Sequence, residues 1–112
     1  MGFLSQLFRG RGYTTVNGSQ LQRLLRNNNI LILDVRSPGE FNNGHIPNAR
    51  NIPVDTLQSN LASISHYRDG EVLVYCSSGK RSIRAADLLS RNGFNKVYNL
   101  KGGLTSYKGN LT

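Results

Sequence analysis

The sequence holds a single cysteine, Cys76, so no internal disulfide forms and no CxxC pair exists for redox or zinc chemistry. Tryptophan is absent, and the two histidines, His45 and His66, lie too far apart for a metal-ligand motif. No metal-ligand set is therefore expected. Acidic residues number six against fourteen cations, ten of them arginine, for a formal net charge of +8. That balance favours anionic partners or substrates. The cations are scattered, with no basic block interleaved with aromatics, so a nucleic-acid partner is disfavoured. No apolar run is long enough to span a bilayer. The opening residues fail as a secretory signal, because Ser5 and Gln6 interrupt their apolar part and no charged region precedes it. Myristoylation at Gly2 requires Ser or Thr where this chain has Gln6. Without a signal, the sequons Asn17-Gly18-Ser19 and Asn110-Leu111-Thr112 carry no meaning, and a cytoplasmic location is expected.

What remains is 112 residues, 38% of them hydrophobic, enough for one domain and one core. The expected division is a short lead over residues 1–12 and a single domain over 13–112. In the lead, Phe3, Leu4, Leu7 and Phe8 could form one face of two helical turns. A weak docking helix is one reading, and a loosely packed terminus is the favoured one. Gly10-Arg11-Gly12 lacks the spacing and the preceding strand of a dinucleotide fingerprint.

Along the domain, strands and helices alternate. Tyr13 to Val16 reads as a first strand. Asn17 or Ser19 can cap a helix carrying Leu21, Leu24 and Leu25. Ile30 to Leu33 is a continuous apolar run, hence a strand buried on both faces. Ser37-Pro38-Gly39-Glu40 leads into a short helical piece anchored by Phe41. Gly44 to Pro53 is a compact connection. Val54 to Tyr67 carries a weak helical pattern through Leu57, Leu61 and Ile64. Val72 to Tyr75 is an apolar, β-branched strand. Ile83 to Asn92 is an amphipathic helix that Asn92-Gly93 stops. Val97 to Leu100 is a last strand, and Lys101-Gly102-Gly103 enters a final helical turn. Such alternation predicts an α/β domain with a mostly parallel sheet. Ligands collect at the C-terminal ends of its strands. Asp34-Val35-Arg36, the Cys76 loop and Lys101-Gly102-Gly103 all fall there.

The organising stretch is Tyr75-Cys76-Ser77-Ser78-Gly79-Lys80-Arg81-Ser82. Cys76 stands where a strand hands over to a helix, at inward N–H groups and a positive helix dipole. Lys80 and Arg81 are expected to push its thiol further toward thiolate. A lone cysteine is ordinarily an inert buried residue, but this loop shifts the balance toward a nucleophile. A Cys-His pair with His45 or His66 is poorly supported, which leaves phosphoryl and sulfur transfer. Cysteine phosphatases carry arginine at the sixth position after the cysteine. Here that position is Ser82, and Arg81 comes one earlier. The loop is one residue too short to wrap a phosphate in that way, and it suits one extra sulfur atom better.

On these residues the chain resembles a single-domain rhodanese, a sulfurtransferase. The matching stretches are Leu33-Asp34-Val35-Arg36 with Glu40-Phe41, Gly44-His45-Ile46-Pro47-Asn48-Ala49 with Asn51-Ile52-Pro53, the Cys76 loop, and Leu100-Lys101-Gly102-Gly103. The resemblance implies a five-stranded, mostly parallel sheet flanked by helices on both faces. It implies Cys76 as the nucleophile, cycling through a persulfide. Ser77, Ser78, Gly79, Lys80 and Arg81 then form the substrate cradle, with Ser82 at its end. It further implies a small anionic sulfur donor such as thiosulfate, a cyanide or thiol acceptor, no need of an organic cofactor or metal, and room for a protein partner in sulfur relay. A non-catalytic binding module on the same fold is the alternative, and a cysteine phosphatase or arsenate reductase is disfavoured by loop length. Tyr107 stands where the family often has tryptophan.

Asp34 and Arg36 are supporting candidates. One reading has them orient substrate. The favoured reading is an Arg36–Glu40 pair and an Asp34 that bonds loop N–H groups. His45 reads as a packed residue rather than a base, Tyr75 as core, and Asp87 with Arg91 as a surface ion pair.

Overall fold

The computed structural model describes residues 12–112. The expected lead helix through Phe3, Leu4, Leu7 and Phe8 lies outside the described residues. Five strands, β1 (Tyr13–Val16), β2 (Leu31–Asp34), β3 (Arg50–Asn51), β4 (Glu71–Tyr75) and β5 (Lys96–Leu100), form one sheet in the order β1-β5-β4-β2-β3. Every pairing is parallel. The helices are α1 (Gly18–Leu24), α2 (Pro38–Asn42), α3 (Val54–Leu57) and α4 (Lys80–Arg91), with 3-10 segments at Gln58–Tyr67 and Gly103–Ser106. Among the described residues no helix is long and apolar enough to cross a membrane.

The central strands β2 and β4 carry apolar runs because both faces of the sheet are covered. Alternate residues face opposite ways. Leu31, Leu33, Val72, Val74 and Val97 pack with Ala85, Ala86 and Leu89 of α4 and with Leu57, Leu61 and Ile64. Ile32, Leu73, Tyr75, Tyr98 and Leu100 pack on the other face with Leu21 and Leu24 of α1 and with Ile46. Register pairs Asp34 with Tyr75 and Val74 with Asn99. The ends of β2, β4 and β5 therefore reach one edge together.

Local chemistry fixes the element starts. Asn17 Oδ1 accepts from Ser19 N and Gln20 N at 3.1 Å, and Gln20 Oε1 accepts from Asn17 N at 2.9 Å. This reciprocal cap contributes about 1 kcal/mol. Ser37 and Glu40 form the same box at α2.

Two expectations need correction. The stretch from Val54 is one α-helical turn followed by a ten-residue 3-10 segment, not a single weak helix. Ser59, Ser63 and Ser65 each donate to the carbonyl three residues back. Those bonds compete with α geometry. The helix after Cys76 starts at Lys80 rather than Ile83, so Lys80, Arg81 and Ser82 occupy its first turn.

Candidate active site

Cys76 follows β4 directly and is 1% exposed. Its Sγ accepts from Gly79 N at 3.1 Å and from Ser82 N at 3.4 Å. As a thiol it donates to Ser82 Oγ at 3.5 Å, while Ser82 Oγ donates to Gly79 O at 3.1 Å. When the proton leaves, that hydroxyl can turn its own hydrogen to the sulfur. Burial pushes the Cys76 thiol up, but hydrogen bonds from the Ser82 hydroxyl and from Ser82, Gly79 and Ser78 N–H outweigh it. The net displacement is downward, toward thiolate.

Two glycines permit this turn. Gly79 is the N-cap of α4 at φ 104°, a left-handed conformation that brings its N–H back to the sulfur. Gly103, buried at φ 57°, lies so close to the loop that a Cβ there would collide with Cys76 O and the Ser77 carbonyl. The 3-10 segment then holds the loop from the far side. Leu104 N donates to Cys76 O at 3.0 Å and Thr105 N to Ser77 O at 3.2 Å.

Of the expected cradle residues Ser77, Ser78, Gly79, Lys80, Arg81 and Ser82, Gly79 and Ser82 bond directly to the sulfur. Ser78 and Lys80 are exposed, Ser77 and Arg81 are half-buried, and Gly79 and Ser82 are buried. Arg81 does not stand free beside the thiol. Its Nη1 and Nη2 donate to Glu40 Oε1 at 2.7 Å and Oε2 at 2.9 Å. Ser77 Oγ donates to Glu40 Oε2 at 3.1 Å and accepts from Arg81 Nη2 at 3.4 Å. The Arg81 guanidinium, with Ser37 N–H adding to it, holds the Glu40 carboxyl far below the usual carboxylate range.

The expected Arg36–Glu40 pair is therefore absent, because each partner is held elsewhere. Arg36 Nη2 donates to Asp34 Oδ2 at 2.7 Å, with both side chains buried, and also to Gly44 O at 2.7 Å. Asp34 Oδ1 accepts from Arg36 N at 2.9 Å, as its loop-bonding reading expects. Asn51 Nδ2 donates to both Asp34 O and Arg36 O. The Arg36 guanidinium lies over the Tyr75 ring, and Tyr75 OH accepts from Ile46 N at 3.0 Å. Asp34 and Arg36 thus brace the ends of β2 and β4 beside the site. His45 Nδ1 lies 2.9 Å from Phe41 O and its ring stacks on Phe41. Asp87 and Arg91 form their surface pair at 3.0 Å.

Glu40 was the site-edge residue that sequence reasoning did not assign. The expected pairing with Arg36, four residues away, gave it a local role, whereas its partner Arg81 stands 41 residues away. Among the described residues no group of three His, Cys, Asp or Glu side chains is placed to hold a metal ion.

The chain thus combines a parallel five-stranded sheet with a Cys76 loop at its C-terminal edge, where N–H groups converge on the sulfur. The family model described as a rhodanese-like domain matches residues 17–110. The chain belongs to the rhodanese-like domain family. It is 35% identical over 86 residues to a sulfurtransferase of Allochromatium vinosum, covering 77% of this chain and 78% of that one. It is 33% identical over 98 residues to the tRNA uridine(34) hydroxylase of Buchnera aphidicola, covering 84% of this chain. The match spans 31% of that hydroxylase's length. Among solved structures, the human single-domain sulfurtransferase TSTD1 superposes with a TM-score of 0.73 at 31% identity, covering 82% of this chain and 92% of that one. The rhodanese-like fold expected from the sequence is thus the one observed, with all pairings parallel.

Proposed function

We propose that this rhodanese-like domain transfers sulfane sulfur from thiosulfate to cyanide or a thiol through a persulfide on Cys76. The observation that carries the reading is the convergence of Gly79 N and Ser82 N on Cys76 Sγ inside a loop of small residues. Such a cradle favours the thiolate, and its small residues suit a ligand no larger than one added sulfur atom.

In the first half-reaction the Cys76 thiolate attacks the outer sulfur of thiosulfate. A bond forms between Cys76 Sγ and that sulfur, and the sulfur–sulfur bond of thiosulfate breaks. Sulfite leaves with the bonding electron pair, and the persulfide carries the negative charge. Gly79 and Ser82 N–H, which hold the starting thiolate, stabilise the negative charge that returns to Cys76 Sγ when the sulfur is passed on. In the second half-reaction cyanide or a thiolate attacks the terminal sulfur. The Cys76–sulfur bond breaks and the thiolate returns. No proton need move in the cyanide reaction, so no general base is required.

Ser77, Ser78, Gly79, Lys80 and Arg81 bound the donor's approach, and Ser82 completes the bonds to sulfur. Asp34 and Arg36 act as braces rather than ligands. Residues 13–112 serve as one domain, and residues 1–12 are dispensable for transfer. The test is thiocyanate formation from thiosulfate and cyanide. Wild type should turn over, Cys76→Ser should not, and a chain lacking residues 1–10 should match wild type. Equal, background rates in wild type and Cys76→Ser would reject the reading and favour a binding module.

A further inference from the structure

Glu40 and Arg81 meet at the edge of the Cys76 loop, and Ser77, the residue after the cysteine, bonds to both. The carboxylate is fixed independently of Arg81, because Ser37 N and Ser37 Oγ each donate to its Oε1 at 3.0 Å. The pair is not a buried brace. The two side chains are 37% and 36% exposed, in contact with the solvent from which a reagent arrives. Asp34 adds no free charge here, since Arg36 holds it in a buried pair. The loop itself carries two cations, Lys80 and Arg81, and Glu40 is the acid bonded to it. We propose that Glu40 is a specificity-determining residue: by neutralising Arg81 it lowers the preference of the Cys76 loop for anionic over neutral reagents. This rests on Cys76 being the nucleophile of the proposed transfer.

The consequence is a charge balance rather than a contact with substrate. With Glu40 ionised, the loop edge shows a single net positive charge. Glu40→Gln raises that to two while keeping the shape and the carbonyl that caps α2. An incoming monoanion should then react about two- to threefold faster at low salt. A dianion such as thiosulfate should gain more, and a neutral reagent should change only with the thiolate population, a factor that cancels in the ratio of two rates. Arg81→Gln shifts the balance the other way. The paired change of both residues restores it.

The solitary thiol allows a direct test that does not depend on sulfur transfer. The full chain is alkylated with iodoacetate and, separately, with iodoacetamide, and the ratio of the two rates is taken. Glu40→Gln should raise the ratio about two- to threefold at low salt, and the gain should fade toward 1 M salt. Arg81→Gln should lower the ratio. The double variant and Glu40→Asp, which keeps the charge, should sit near wild type. A merely structural role would loosen the loop and change both rates together, leaving the ratio fixed. That result, or a Glu40→Asp ratio that follows Glu40→Gln, overturns the proposal. Should Glu40→Gln fail to fold, an unchanged ratio in Arg81→Gln overturns it equally. An altered ratio in a protein that transfers no sulfur would uphold the charge role and reject the transfer reading.

Discussion

Ser82→Ala isolates the one side-chain hydroxyl that reaches the sulfur. Ser82 is fully buried, and its Oγ sits 3.5 Å from Cys76 Sγ while bonded to Gly79 O. The backbone N–H of Ser82 at 3.4 Å and that of Gly79 at 3.1 Å survive the substitution. Only the hydroxyl's share of thiolate stabilisation is lost. A hydrogen bond to a charged group contributes roughly 1.5–3 kcal/mol, and the length of this one places it below that range, at about 1 kcal/mol. That corresponds to about a fivefold smaller thiolate population at any pH below the thiol transition. The direction is fixed: the alanine variant must be harder to ionise, so its reactivity curve moves to higher pH. The assay is the rate of iodoacetamide alkylation against pH, which reports this lone thiol without ambiguity. Wild type should retain reactivity below the pH at which a free thiol, with a transition near about 8.5, has lost it. Superimposable curves for wild type and Ser82→Ala would refute the hydroxyl's part and leave the backbone N–H groups as the sole support.

Gly103→Ala places a Cβ against Cys76 O and the Ser77 carbonyl at a positive φ, so it should cost at least about 2 kcal/mol and lower the melting temperature. Asp34→Asn leaves the Arg36 guanidinium buried without its carboxylate, and a loss of about 3–5 kcal/mol should appear in denaturant unfolding. Glu40 has a folded-state pKa depressed by Arg81, so its stabilisation is present above the unfolded value of about 4.3 and is lost as pH falls further. Unfolding measured from neutral to acid pH should therefore show a drop in wild type that shrinks in Glu40→Gln. Equal acid sensitivity in the two would assign the drop to other carboxylates.

The alternation of strands and helices was legible because β2 and β4 carry apolar runs at Leu31–Leu33 and Val72–Tyr75 and the amphipathic helices repeat near 3.6. The position of Cys76 was legible for the same reason: the β-branched run stops at it and small residues follow. The start of α4 was not. Its cap is Gly79 in a left-handed turn, not a Ser, Thr, Asn or Asp, and its first turn is Lys80-Arg81-Ser82, which carries no apolar period. Leu57, Leu61 and Ile64 promised a helix, but spacing alone does not separate an α-helix from a 3-10 segment when serines bond back to the chain. Long-range charge pairing was the least legible feature. Arg36 and Glu40 stand four apart and invite pairing, yet Asp34 lies nearer to Arg36 at a strand end, and Arg81 reaches Glu40 from another element.

The central claim is that Cys76 carries the transferred sulfur, and the intact mass of the protein tests it most directly. After thiosulfate treatment the wild-type chain should gain the mass of one sulfur atom, cyanide should remove it, and Cys76→Ser should stay unchanged throughout. A wild-type mass that thiosulfate does not alter, with the thiol still free to alkylate, would contradict the account.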